Sequence, residues 1–325
     1  MTILSIVTQA FCHPHWVPET GLPDLHGKVA LITGASSGLG KETAIQLAAK
    51  GAHVFCLGRS AEKCKAAVDE IAYTTKNQNV EFLQCDLMDL ASVERAANEF
   101  LDRKLPLHIL VLNAGIMETP WGLSKQGIES QFATNHFAHV ALTSKLLPIL
   151  ESSQPSRIVV LASYSHDINM KLVPGGIKYD QLNNQEKYNA YIRYGESKIA
   201  NIHFTRELQA RLDAKYGGPN ACKIYVNCVH PGLVKTELTK DMNQAAVLAA
   251  QPIMISPAKG AINQLFLAGA KEVEENNLKG KYIVPYCQVA EPSAEAADKG
   301  QAVKTWVWTE KVMKEQYRED WTFGI

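Results

Sequence analysis

Short apolar runs alternate with longer helical patterns from residue 28 to residue 285, and that alternation leaves few folds open. Residues 28–33 form a run with an uninterrupted apolar centre, Val29-Ala30-Leu31-Ile32, which suits a strand buried on both faces. Runs at 54–57, 80–85, 107–112, 157–162, 223–229 and 282–285 read as further strands. Helical patterns at 39–50, 60–72, 92–101, 129–150, 194–216 and 257–270 fill the intervals, with Gly51 placed to close the first and Ser60 to cap the second. Strands that take turns with helices build βαβ units and a parallel sheet. Right-handed crossovers then wind the helices onto both faces of that sheet. The expectation is an α/β protein: a single doubly wound domain over 27–290, a Pro- and His-containing lead-in over 1–26 and a C-terminal extension over 291–325. Two connections, 164–193 and 238–256, are long for such a fold and read as lid or binding loops.

With 325 residues, 46% of them hydrophobic, the chain can bury a large core. Lys and Arg number 33, as do Asp and Glu, and no block of like charge occurs, which argues against a nucleic-acid partner. No apolar run reaches the roughly 18–20 residues of a membrane span. The mildly apolar segment 2–11 lacks the basic start and cleavage site of a secretory signal. Seven cysteines (Cys12, Cys56, Cys64, Cys85, Cys222, Cys228 and Cys287), odd in number and without a CxxC pair, read as reduced core thiols of a cytoplasmic protein. His13 and His15 have no further ligands at metal spacing, so no metal site is expected.

Tyr194-Gly195-Glu196-Ser197-Lys198 sets a phenol and an ammonium one helical turn apart on the same face. A nearby cation stabilises a phenolate, so Lys198 is expected to lower the pKa of Tyr194 and fit it for proton exchange with an alcohol or carbonyl oxygen. Upstream, Thr33-Gly34-Ala35-Ser36-Ser37-Gly38-Leu39-Gly40 joins the first strand to the first helix. Glycines there let the backbone approach a pyrophosphate seated on the helix N-terminus, although the same turn would also serve as a plain tight connection. The second strand ends in Leu57-Gly58-Arg59-Ser60, with no acid to hold a ribose 2′-hydroxyl. Arg59 suits a 2′-phosphate, with Ser36 and Lys41 as helpers, which favours NADP(H) over NAD. The alternative is that Arg59 is an ordinary exposed residue at a helix start. Asp86, in Cys85-Asp86-Leu87, is placed to bond an adenine amino group, and the small residues of Asn113-Ala114-Gly115 let a cofactor pass.

In order along the chain, the Thr33–Gly40 turn, Asn113-Ala114-Gly115, Ser163, Tyr194-x-x-x-Lys198 and Pro231-Gly232-Leu233-Val234-Lys235-Thr236 resemble the short-chain dehydrogenases/reductases over about 27–315. The resemblance implies a single Rossmann-type domain with a mostly parallel central sheet. Within that family Asp24-Leu25-His26-Gly27-Lys28-Val29, Arg193-Tyr194-Gly195-Glu196-Ser197-Lys198-Ile199-Ala200-Asn201 and Ser256-Pro257-Ala258-Lys259-Gly260-Ala261 look most like the retinol-dehydrogenase-like branch. The proline-bearing lead-in is similar to filamentous-fungal members, many of which tailor secondary metabolites.

Carried over, the resemblance makes Tyr194 the general acid/base and Ser163 the holder of the substrate oxygen. Lys198 would hold the nicotinamide ribose, and Asn135 would anchor a water linking Lys198 to solvent. Gly34, Ser36, Ser37, Gly38, Leu39, Gly40, Arg59, Asp86, Leu87, Asn113, Ala114 and Gly115 would bind the dinucleotide, joined at the nicotinamide end by Tyr194, Lys198, Pro231, Gly232, Val234 and Thr236. The implied activity is NADP(H)-dependent interconversion of a lipophilic ketone or aldehyde and its alcohol. The alternatives are cofactor-bound lyase, isomerase or cyclase chemistry, or a non-catalytic NADP-binding protein. Family members often pair through the helices at 129–150 and 194–216, so a homodimer is one expected assembly. The chain departs from the family in the long gap between Ser163 and Tyr194 and in Leu112, where many members have asparagine. Tyr188 and Tyr191 compete with Tyr194 as the catalytic tyrosine but have no lysine four residues later, and Met117, Trp121, His166, His230 and Tyr286 remain candidates to line or contact the site, with packing roles as the alternative. Trp306, Trp308 and Trp321 in the tail are expected to cover a pocket or pack on a partner.

Overall fold

The computed structural model describes residues 15–172, 174–236, 238 and 244–325. The segment 2–11, Cys12 and His13 lie outside the described residues. The strands are β1 Val29–Thr33, β2 His53–Gly58, β3 Val80–Gln84, β4 Ile109–Leu112, β5 Ser156–Leu161, β6 Ile224–Val229, β7 Tyr282–Val284 and β8 Gln288–Ala290. Helices of eight residues or more are α1 Gly38–Ala49, α2 Ala61–Thr75, α3 Leu90–Asp102, α4 Ala138–Ser152, α5 Ser165–Leu172, α6 Ala190–Lys215, α7 Pro257–Gly269 and α8 Lys299–Gln316. One sheet runs β3-β2-β1-β4-β5-β6-β7-β8, parallel except for the last pair.

Neighbouring strand residues serve different layers, which is why the runs are apolar without alternation. Val29 and Leu31 of β1 face one core with Phe55, Leu110 and Ile158, packed by α3, α4, α6 and α8. Ala30 and Ile32 face the other with Val54, Ile109 and Val159, packed by α1 and α7. Helix starts follow local chemistry: Ser60, Asp89, Asn189 and Ser256 each accept a backbone N–H in the first turn of α2, α3, α6 and α7. The end of the lead-in is docked, with Trp16 edge-on to Phe266 at 5.6 Å.

Four departures from the sequence expectations have physical causes. The helix expected at 129–150 is broken by a π-helical turn at Ala133–Phe137, which no residue type announces. The 164–193 connection carries α5 and 3₁₀ turns, and the 238–256 connection includes a helix at Gln244–Ala250. The antiparallel edge strand β8 is too short to leave a pattern. The C-terminal extension forms α8, whose buried face is Ala302, Thr305, Trp306, Thr309 and Met313; threonines at two of these positions hide the helical period.

Trp306 and Trp321 are buried within the chain. Trp306 stacks on Phe204 of α6 at 6.0 Å and contacts Phe323 at 4.8 Å, with the Arg211 guanidinium 4.6 Å over its ring. Trp308 meets Phe137 at 5.5 Å. The tail therefore packs on the two helices expected to pair subunits. Trp306→Ala is expected to cost about 3 kcal/mol of stability, read by denaturant unfolding, because it opens a large buried cavity. A loss under about 1 kcal/mol would show that the tail is only loosely attached.

Candidate active site

The chain steps outward from β1 to β2 and β3, then returns to β4 on the opposite side of β1. At such a switch point the loops beyond the strand ends part and leave a crevice. A cavity of about 620 Å³ lies there. The turn before α1 contributes Gly34, Ser36, Ser37, Gly38 and Leu39, and the end of β4 contributes Asn113, Ala114 and Gly115. Ser163 enters after β5, Tyr194 and Lys198 from α6, and Pro231, Gly232, Val234 and Thr236 after β6. Gly40, Arg59, Asp86, Leu87 and Asn135 lie outside the lining.

The turn is held tightly. Gly38 has φ +55, a conformation costly for a side chain, and a side chain at Gly40 would meet the Gly34 carbonyl at 2.4 Å. Gly40 thus lets α1 close on the strand and does not face the cavity. Ser37 sits at the cap position of α1 but, unlike Ser60, Asp89, Asn189 and Ser256, makes no capping bond, so its side chain leaves the first N–H groups of this helix unclaimed. Thr33 Oγ accepts the Asn113 and Ala114 N–H groups at 2.9 and 3.0 Å and donates to His139 Nε2 at 2.9 Å, which secures the end of β4.

Arg59 is exposed and its guanidinium makes no ion pair among the described residues; only its carbonyl is engaged, by Gln84. Lys41, the expected helper, is tied to Glu70 at 2.9 Å. One Asp86 oxygen accepts the Met88 N–H. Leu87 packs against the core.

On the catalytic side, Lys198 Nζ donates to the Leu161 carbonyl at 3.0 Å and stands 5.5 Å from the centre of the Tyr194 ring. Asn135 lies in the π-helical turn, behind the cavity wall, with Oδ1 accepting from Ile116 N–H at 2.9 Å and Nδ2 donating to Ser197 Oγ at 3.0 Å. Burial dominates the electrostatics. It pushes the Tyr194 phenol up to about 12, a hydrogen bond with Ser163 pulls the other way, and the charges of Tyr191 and Glu118 add to the rise. Burial also drives the Lys198 ammonium down to about 7. The expectation that Lys198 acidifies Tyr194 is not met, because the pair is withdrawn from water and the ammonium is turned toward a carbonyl.

A family model for short chain dehydrogenases matches residues 28–175. The mouse protein retinol dehydrogenase 12 is 38% identical over 282 residues, covering 86% of this chain and 84% of its own. The Aspergillus calidoustus short-chain dehydrogenase/reductase drtF is 37% identical over 308 residues, covering 91% and 96%.

The chain belongs to the short-chain dehydrogenase family.

It falls in the retinol-dehydrogenase-like branch, among oxidoreductases that bind nicotinamide cofactors and act on CH–OH or C=O groups. A solved structure of an uncharacterized protein from Mycobacterium paratuberculosis superposes with TM-score 0.73 at 33% identity, covering 92% of this chain and 97% of its own. The NADP complex of Pseudomonas aeruginosa RhlG shares the fold, with TM-score 0.61 at 24% identity, covering 90% of this chain and 100% of its own.

The cavity is also lined by Ile168, Val247 and Met254, which lie in the two long connections read as binding loops, and by Glu118, which no sequence signal marked. Of the open candidates, Met117, Tyr191 and His230 line it, whereas Trp121 and Tyr286 do not. Tyr188 is structural: its hydroxyl donates to the Thr119 carbonyl at 2.6 Å. His166 supports Ser163 from behind. Its Nε2 accepts the Ser293 N–H, so the proton sits on Nδ1 and is donated to the Ser163 carbonyl at 2.6 Å.

Proposed function

We propose that this dehydrogenase reduces a lipophilic aldehyde or ketone with NADPH. The observation that carries the reading is that Ser163, Tyr194 and Lys198 meet in one cavity with a glycine-rich, uncapped helix start. That start fits an anionic pyrophosphate, because free N–H groups and the helix dipole both favour negative charge. Gly34–Leu39, Asn113-Ala114-Gly115 and Pro231–Thr236 would hold the dinucleotide along the crevice. The chemistry supplied by bound NADPH is hydride delivery to the carbonyl carbon.

Ser163 then orients the carbonyl oxygen and Tyr194 gives it a proton. A phenol held at about 12 is protonated at neutral pH, which supports the reductive direction. Lys198, poised near neutrality, restores that proton, with Asn135 anchoring the path to solvent. The apolar wall of Ile168, Leu233, Val247 and Met254 supports a lipophilic substrate. Six described cysteines are free thiols, in keeping with a reducing cytoplasm. Among the described residues no helix is long and apolar enough to cross a membrane. The tail helix α8 packs along α6, one of the two helices through which a homodimer is expected to form. The 37% identity to drtF of Aspergillus calidoustus is in keeping with the likeness of this chain to fungal members of the family.

The direct test is NADPH oxidation against a panel of lipophilic aldehydes and ketones; product formation without any change at the nicotinamide absorbance band would refute reduction. Arg59→Ala is expected to reduce the kcat/KM preference for NADPH over NADH by about tenfold or more, the worth of a charge-assisted contact to the 2′-phosphate. An unchanged preference would remove Arg59 from the cofactor site.

A further inference from the structure

The cavity that holds Tyr194 also holds a carboxylate that the proposed reaction leaves idle. Glu118 and Lys198 are the only Asp, Glu, Lys or Arg side chains lining it among the described residues. Lys198 is engaged by Leu161. The Glu118 carboxylate has no hydrogen bond or ion pair among the described residues, and burial raises its pKa. The Glu118 carboxylate is partly shielded from water and sits in a wall otherwise rich in apolar side chains, where a donor brought by a ligand would replace the water it faces.

Its backbone is unusual too. Glu118 has φ +52, the left-handed region that side chains disfavour. The conformation is clamped. Glu118 N–H donates to Gln131 Oε1 at 2.9 Å, and Gln131 Nε2 donates to the Tyr188 hydroxyl at 3.0 Å and the Ala190 carbonyl at 2.8 Å. Tyr188 in turn donates to the carbonyl of the next residue, Thr119. Two side chains from separate elements therefore hold residues 118–119 in place. Glu118 is near enough to Tyr191 and Tyr194 for its charge to raise both phenols. An unpartnered acceptor, held on a strained backbone beside the reacting tyrosine, matches a group brought by the ligand.

We propose that Glu118 is a specificity-determining residue whose carboxylate accepts a hydrogen bond from a hydroxyl or ammonium group of the substrate. The preferred substrate is then a lipophilic carbonyl compound that also bears a hydrogen-bond donor. The proposal rests on the carbonyl-reductase reading and names the substrate class within it. A site built around a polar contact rejects the analogue lacking the group far more strongly than an apolar wall senses a methylene, by about 10⁴-fold against about 10–200-fold.

The test measures kcat/KM with NADPH for matched aliphatic aldehydes and ketones that differ only in a distal hydroxyl or primary amine, at several chain spacings. Wild type, Glu118→Gln and Glu118→Ala are compared; Glu118→Gln keeps the side chain's size. Because Glu118 is only partly buried, the wild type is expected to favour the donor-bearing member by about 10- to 100-fold at its best spacing, the worth of a hydrogen bond to a charged group. Glu118→Ala should bring the ratio to near unity, and Glu118→Gln should keep part of the hydroxyl preference while losing that for the amine. Those two arms separate the donor types. Equal kcat/KM within wild-type pairs, or a Glu118 variant that alters both members equally, overturns the proposal and leaves the reductase reading standing. Absence of turnover for every member, with NADPH bound, overturns both.

Discussion

Replacing Tyr194 with phenylalanine is expected to lower kcat/KM for carbonyl reduction by about 10³-fold, or roughly 4 kcal/mol of transition-state stabilisation. The variant removes the hydroxyl proposed to protonate the substrate oxygen and leaves the buried ring on α6. NADPH affinity should change by no more than about tenfold, the worth of a single hydrogen bond. Stopped-flow turnover beside a fluorescence titration of NADPH separates the two quantities. Activity retained within about tenfold of wild type would move the proton donor elsewhere. The phenol's pKa of about 12 also orders the pH dependence. Reduction uses the protonated form, which is full at neutral pH. Oxidation of the alcohol needs phenolate, so it should climb with pH, by roughly tenfold per unit well below that pKa.

The second large effect is on stability in acid. Burial drives His136, His139 and His230 down to about 3 and His203 down to about 4. Their imidazoles are wedged in hydrogen bonds, as in His203 to the Glu295 carbonyl at 3.0 Å and His136 to Thr309 Oγ at 3.0 Å. Below about pH 6.5 the unfolded chain protonates these groups and the folded chain does not, so stability falls as pH falls. Glu129 and Glu196, whose carboxyls are raised chiefly by burial, work in the opposite sense, because the folded chain binds their protons first. Two to four net protons at roughly 1.4 kcal/mol each per pH unit give a slope of about 3–5 kcal/mol per unit near pH 5. At the low end of ordinary stability, about 5 kcal/mol, cooperative unfolding is expected within roughly one to two units below pH 6. Urea unfolding at pH 7, 6 and 5 reads the slope directly. His203→Gln should flatten it by about one proton even though it weakens the fold. Equal stability at pH 7 and pH 5 would mean that these histidines charge freely within the folded protein.

The fold was readable because the central strands β1, β4, β5 and β6 bury both faces, so their apolar runs stand out over a few residues regardless of their partners. Caps were equally local: Ser60 caps α2 because its own hydroxyl reaches the N–H of Lys63. Gly34, Ser163, Tyr194 and Lys198 were legible as a set because motifs at fixed places on a known fold converge, and the cavity contains all four. Elements whose cause is tertiary were not legible. The helix α8 exists through what it covers, Phe204 and His203 of α6, and its own sequence presents threonines where a core residue is usual.

By itself the sequence determined the order of β1 to β7 and of the main helices between them, and the family, because these follow from short-range pattern and spacing. Only the tertiary structure decided their electrical state. Tyr194 and Lys198 are one turn apart on any helix, but how far each is desolvated depends on Leu161, Ser163 and the layers packed around them. The same is true of Glu118. Its place after Asn113-Ala114-Gly115 could be counted along the chain, but its lack of a partner inside the cavity depends on Gln131 and Tyr188 closing on its backbone from elements distant in sequence.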